Sequence, residues 1–304
     1  MSENLTRPTL YLVSDVHSFF DSLIRALTKA GFFEDKDAKL VLLGDALDRG
    51  SQPLELIDFL FKLKEEDRLI YILGNHEELL YDLVKTAPTK AFEERLDNFI
   101  KNGVLATALR LANMYYDEDK SSHMYYDRVD PRYLDECDAL MYPEELASRV
   151  KESKYYRELF MSAVDFYETE HYVFCHGWIP VYMEGTLQNP KYFYNPNWRD
   201  ASYREWRAAR WLNGMDVGAR HYVTDHEKTV VCGHVYTSWG HQKLHGNDDT
   251  ITEPFVDYGI IAIDAGTYKS DTAETKKINC VVINGSGEAI FDGEVIHAPE
   301  LYGK

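Results

Sequence analysis

The chain has 304 residues, 45% of them hydrophobic, enough to bury a sizeable core in one large domain or two modest ones. A formal net charge of −18 with no Lys/Arg-rich run argues against nucleic acid as a partner, because an acidic surface repels a phosphate backbone. No run nears the roughly 18 apolar residues of a membrane span, the first eight residues are polar, and the four cysteines form no C-x-x-C pair and read as reduced, which together predict a soluble cytoplasmic protein with no membrane partner.

In chain order, the first third alternates strand and helix. An apolar run over residues 10–13 precedes a helical pattern over 19–30, with Leu23, Ile24 and Leu27 at helical spacing. A second run, 40–43, precedes a helix over 53–64, opened by Pro53 and striped by Leu54, Ile57, Leu60 and Phe61. A third, 68–73, precedes a helix over about 77–84. This alternation predicts βαβ units and a largely parallel sheet. Residues 86–170 are rich in Tyr and charged residues, with helical patterns over 92–111 and 143–167 and no strong strand. They read as a helical insertion able to cap the sheet's carboxyl edge, and the tyrosine pairs at 115–116, 125–126 and 155–156 read as helix packing. Apolar runs follow at 172–175 and 230–232, then at 260–263, 278–283 and 288–291, the last two joined by a hairpin signal at Asn284-Gly285 and Ser286-Gly287. These later strands predict a second sheet packed on the first. With no repeat or linker, the expectation is an α/β fold of two packed mixed sheets flanked by helices, one domain over 1–304 with the insertion at 86–170 inside it.

Five motifs with a metal-loving or phosphate-loving residue nearly all follow directly on a short apolar run: Asp15-Val-His17, Gly44-Asp45-Ala-Leu-Asp48-Arg49-Gly50, Gly74-Asn75-His76-Glu77, His176-Gly177 and Gly233-His234. A residue just past a strand lies at the carboxyl edge of an α/β sheet, where ligands bind. Five such edges would bring carboxylates, imidazoles and a carboxamide into one pocket, a donor set suited to two divalent ions and to hydrolysis of a phosphate ester. Asp45 is the natural bridging carboxylate, and the Asn75 amide adds an oxygen without charge. Arg49 can fork onto two phosphate oxygens. His76, oriented by Asp48, can protonate a departing oxygen. Glu77 reads as a cap of the helix that follows.

This ordered set resembles the calcineurin-type metallophosphoesterase superfamily, and the G-D-x-x-D-R-G and G-N-H-E elements resemble its serine/threonine phosphoprotein phosphatase branch, which includes bacterial symmetrical dinucleoside tetraphosphatases. The Ile263-Asp264-Ala265-Gly266 stretch resembles a late core strand of that branch. The resemblance implies a metallophosphoesterase β-sandwich, with Asp15, His17 and Asp45 on one ion and Asp45, Asn75, His176 and His234 on the other. It implies manganese and/or iron, with zinc an option, and in-line attack by a metal-bridging hydroxide on phosphate monoesters. Arg49 and Asn75 would hold the phosphate and His76 with Asp48 would serve the leaving group. The substrate would be a phosphorylated small molecule, a nucleotide or a phosphoprotein. A dinucleoside polyphosphate hydrolase is the alternative enzyme, and a metal-binding scaffold without turnover the alternative of another class. A second phosphate-binding arginine is implied too; of Arg199, Arg207 and Arg210, Arg210 is preferred. Three positions depart from the pattern: Ser18 and Trp178 replace the usual glycines, and Tyr236 stands where other superfamily members carry a histidine.

Overall fold

Side chains on successive strand residues point to opposite faces, so a strand buried on both faces needs apolar residues throughout. The first strands meet that requirement. In a computed structural model, describing residues 8–87, 89–116, 123–125, 136–186, 189–269 and 276–299, β1 (Leu10–Val13), β2 (Lys39–Leu43) and β3 (Leu69–Ile72) pair in parallel. Helix α1 (Phe20–Ala30) and helix α2 (Pro53–Glu65) make the crossovers, and helix α3 (Asn75–Thr86) follows β3. Leu10, Leu12, Val41 and Leu43 face one side, where they meet a second sheet; Tyr11, Val13, Leu40 and Leu42 face the helices.

The 86–170 region is largely helical: α4 (Ala91–Lys101), α5 (Val104–Ala112), α6 (Glu136–Met141) and α7 (Pro143–Glu152), with a π turn at Tyr155–Leu159. The pattern read as one helix over 92–111 is two, broken where Gly103 takes a φ of +79°. The pattern over 143–167 ends as a helix at Glu152. The region also contains a short hairpin, β4 (Met114–Tyr116) with β5 (His123–Tyr125), where no strong strand was expected. Tyr155 and Tyr156 are buried in the helical core, as helix packing requires; the side chains at 115–116 and 125–126 lie outside the described residues.

The second sheet contains β6 (Tyr167–Glu168), β7 (Tyr172–Phe174), β10 (Thr229–Cys232), β11 (Phe255–Asp257) and β12 (Ile260–Ala262), in the order β11-β12-β10-β7-β6. An exposed hairpin, β8 (Tyr182–Thr186) with β9 (Asn189–Phe193), and helices α8 (Tyr203–Ala209) and α9 (Thr237–Lys243) occupy the connections. The last strands, β13 (Val281–Ile283), β14 (Ala289–Phe291) and β15 (Glu294–Ile296), form the expected hairpin but do not join the second sheet. β13 pairs antiparallel with β1, giving the first sheet the order β15-β14-β13-β1-β2-β3. Phe174, Val231, Ile261 and Val281 fill the layer between the sheets. The result is two mixed sheets face to face, flanked by helices, with the parallel strands of both ending at one edge.

Candidate active site

The loops after β1, β2, β3, β7, β10 and β12 converge at that edge. They are held by backbone bonds: the Asp15 amide donates to Gly44 O (3.2 Å), His17 to Asp45 O (3.0 Å), Ser18 to Ala46 O (2.8 Å) and Gly50 to His17 O (2.9 Å). Asp15, His17, Ser18, Asp45, Asp48, Arg49 and His234 all adopt positive φ, from 48° to 74°. Side chains rarely tolerate that region, and its concentration here marks backbone bent to aim side chains inward. Ser18, which stands where glycine was expected, adopts the left-handed turn a glycine would.

Two donor groups share Asp45. In the first, ligating atoms of His17, Asp45 and His76 lie within 4.8 Å of one another. His17 Nδ1 donates to Leu47 O at 3.1 Å, so Nε2 carries the lone pair that faces Arg49 (2.9 Å) and Asp45 (3.8 Å). His76 places Nδ1 2.7 Å from Asp48 Oδ2, leaving Nε2 3.9 Å from Asp45 Oδ2. The orienting contact expected between Asp48 and His76 is therefore in place. Asp15 is buried beside this group, where its carboxylate accepts the His234 amide at 2.9 Å. In the second group are Asp45, His176 and His234. His176 Nδ1 donates to Leu43 O at 2.7 Å, so its Nε2 lone pair faces Asn75 Oδ1 at 2.8 Å and Asp45 Oδ1 at 3.3 Å.

That last geometry tests whether cations fit. With Nδ1 committed to the Leu43 carbonyl, a neutral His176 turns its Nε2 lone pair toward the Asp45 carboxylate, a donor pairing that suits a cation. The charges agree. Burial, with the nearby Asp264 second, holds the Asp15 carboxyl well above the usual carboxylate range. Burial, then Asp15 and Glu77, does the same to Asp45, and burial pushes Asp264 up to about 6. Burial also keeps His17 and His176 well below the usual imidazole value and lowers His234 to about 4. Neutral imidazoles around acids that cannot comfortably ionise are what divalent cations would resolve.

Around the donors lies a supporting shell that only partly follows the expectations. Glu77 caps α3 as expected, by accepting the Gly74 amide at 2.8 Å. It also accepts the Asp45 and Ala46 amides (2.9 and 3.0 Å) and the Tyr71 hydroxyl (2.8 Å), and so fixes the β2 loop. Asp264, seen in sequence as part of a late core strand but assigned no role, ends β12 in the place the other site residues occupy on their strands and is buried near Asp15. Trp178, in place of the usual glycine, is core packing: it is fully buried, donating its indole N–H to Val223 O at 2.9 Å. Arg210, preferred in sequence for the phosphate, is 1% exposed with its guanidinium paired to Glu78 and Asp165; Arg207 pairs with Asp82 and Arg199 with Glu168 and Asp225. Arg49 is differently placed. It lies over the Tyr268 ring (4.2 Å to the centroid) and reaches Asn102 at 3.4 Å, so the α4–α5 turn of the insertion borders the site. Asn102, Tyr268 and Trp211 were not singled out in sequence: each is isolated in its local pattern and comes to the mouth only through tertiary packing.

A family model described as calcineurin-like phosphoesterase matches residues 8–265. The chain is 29% identical over 117 residues to the asymmetrical bis(5'-nucleosyl)-tetraphosphatase PrpE of Bacillus subtilis, covering 36% of this chain and 44% of that protein. It is 29% identical over 129 residues to the symmetrical bis(5'-nucleosyl)-tetraphosphatase of Buchnera aphidicola subsp. Schizaphis graminum, covering 41% and 46%. The chain thus spans less than half the length of these curated relatives. Among solved structures, a cold-active protein-tyrosine phosphatase of a psychrophilic Shewanella aligns over 96% of this chain and 80% of its own, at 14% identity and a TM-score of 0.47.

Proposed function

The chain belongs to the calcineurin-like phosphoesterase family, and we propose that it is a metal-dependent phosphoester hydrolase whose substrates are dinucleoside polyphosphates. The observation that carries the reading is the pair of donor groups sharing Asp45, His17–Asp45–His76 and Asp45–His176–His234, with Arg49 against His17 and Asp48 holding His76. The substrate class is supported by the likeness to the two tetraphosphatases. Asp15, His17 and Asp45 would hold one divalent ion, and Asp45, Asn75, His176 and His234 the other. Ions bound there supply Lewis acidity toward phosphoryl oxygens and lower the pKa of water.

The chain's own residues do the rest. Arg49 clamps the phosphoryl oxygens with its guanidinium edge. Asp48 holds the His76 ring so that Nε2, the nitrogen facing Asp45, is the one turned to the substrate, and His76 gives a proton to the leaving phosphate oxygen. Glu77 keeps the Asp45 and Asn75 loops in register. The Arg210 backbone packs against the His176–Gly177 turn: a Cβ on Gly177 would lie 2.5 Å from Arg210 O. A second reading, hydrolysis of phosphate monoesters including phosphoproteins, is favoured by the G-D-x-x-D-R-G and G-N-H-E motifs.

Hydrolysis of diadenosine tetraphosphate with added manganese, run beside a phosphopeptide and an aryl phosphate, separates the two. The expected result is nucleotide products from the tetraphosphate at the highest kcat/KM of the panel. Turnover confined to the monoesters would reject the substrate class. Asp45→Asn and His76→Asn should each lower kcat by roughly 100-fold or more, and undiminished turnover would reject the site.

A further inference from the structure

The largest exposed side chain beside the donor groups is Trp211. Trp178, Trp198 and Trp206 are buried, whereas Trp211 is 48% exposed. Its ring stands edge-on to His234, with centroids 6.0 Å apart and planes at 83°. The main chain beneath it is firmly seated. The Trp211 amide donates to Ala208 O at 3.2 Å, and the Trp178 amide donates to Ala209 O at 3.1 Å. Gly177 packs so closely that a Cβ there would lie 2.6 Å from Ala209 O. The Trp211 carbonyl accepts a hydrogen bond from the His234 ring. The backbone of Trp211 thus orients a donor residue, and its indole N–H is directed to the buried Glu78 carboxylate, which fixes the ring and leaves its face half-exposed at the mouth.

Tyr268, 40% exposed beside His17, is a second aromatic near the donors, but the Arg49 guanidinium lies over its ring. Among the described residues, no cation lies over the Trp211 indole. A flat, half-exposed face 6.0 Å from the His234 ring, at the edge of the donor groups, suits a ligand with a phosphate chain at one end and a flat heterocycle at the other. We propose that Trp211 is the platform on which a nucleobase of the substrate stacks, and that it selects nucleotides over bare polyphosphates and phosphopeptides. This deepens the substrate class proposed above and rests on it. The base gains dispersion against the indole whatever its identity, so the preference is for a nucleoside and not for adenine over guanine.

ADP and inorganic pyrophosphate make a matched pair of probes, a diphosphate with and without a base. In the magnesium-loaded protein, ADP should quench the indole fluorescence saturably and pyrophosphate should not. Trp211→Leu should abolish the quench and weaken ADP binding, read by calorimetry, roughly tenfold, with pyrophosphate binding shifted less than twofold; Trp211→Phe should restore most of the ADP affinity. The proposal is overturned if wild-type protein does not bind ADP, if Trp211→Leu binds it as tightly, or if that variant loses ADP and pyrophosphate equally. The broader reading fails separately: quenching by ADP with no turnover of diadenosine tetraphosphate rejects the hydrolase assignment and leaves the platform standing. Turnover with an unchanged KM in Trp211→Leu rejects the platform alone.

Discussion

Ser18 is fully buried, adopts a φ of 59°, and its hydroxyl has no hydrogen-bond partner. Backbone strain and an unsatisfied buried hydroxyl each destabilise, by about 1–3 kcal/mol at most sites, while a glycine adds unfolded-state entropy that offsets part of any gain. The balance favours glycine. Ser18→Gly should therefore raise the unfolding free energy by about 1 kcal/mol, seen as a higher urea midpoint at constant m; a lower midpoint would show that the turn is not strained. Glu77 is the opposite case, a buried carboxylate with three amides and a phenol donating to it. Glu77→Gln turns an amide group toward at least one of those donors. It should lower stability by about 3 kcal/mol in the same assay, and turnover should fall with it because the Asp45 loop loses its clamp.

The same question at the scale of elements concerns how the insertion meets the site. Gly103 breaks α4 from α5 with a φ of +79°, and a Cβ there would lie 2.7 Å from the Arg49 amide nitrogen. Gly103→Ala should push the Arg49 loop aside and lower kcat/KM roughly tenfold or more, with a normal far-ultraviolet spectrum. Unchanged kinetics would mean the turn merely rests against the site. That break is also where sequence reading failed, because the apolar stripe runs on through Asn102-Gly103 and periodicity does not register a backbone reversal. Strand ends were legible for the converse reason: an apolar run stopping at Asp15, Asp45, Asn75, His176 or His234 is a local signal, and the sheet edge turns it into a spatial one. Asp264 obeys the same rule and needed only the same weight. The return of β13–β15 to the β1 edge was hidden because strand partnership is a long-range choice. The burial and ion pairing of Arg210 were not legible because its partners Glu78 and Asp165 lie 132 and 45 residues away in the chain.

Over the whole molecule, a net charge of −18 coexists with a pocket that gathers several of those carboxylates, and either protons or cations reconcile the two. The pH dependence of folding should report this. A carboxyl raised from about 3.8 to about 6, as for Asp264, leaves the metal-free fold unpenalised below the unfolded value; stability is then lost as pH rises through the folded value. Asp15 and Asp45, raised well above the same reference, act in the same direction. The histidines oppose this at lower pH: His234, lowered from 6.5 to about 4, loses stability as pH falls through that interval, and His17 and His176 act with it. Above about pH 6.5 the imidazoles are neutral in both states, and only the carboxyl penalty remains. Divalent cations need ionised carboxylates and neutral imidazoles, so protons compete with them at every donor. Adding manganese should therefore raise Tm little at pH 5 and by about 5 °C or more at pH 7.5, with chelator reversing the gain. Equal increments at both pH values, followed by scanning calorimetry, would mean that the ion binds outside the Asp15–Asp45–His176 cluster and that the buried acids are stabilised by something else.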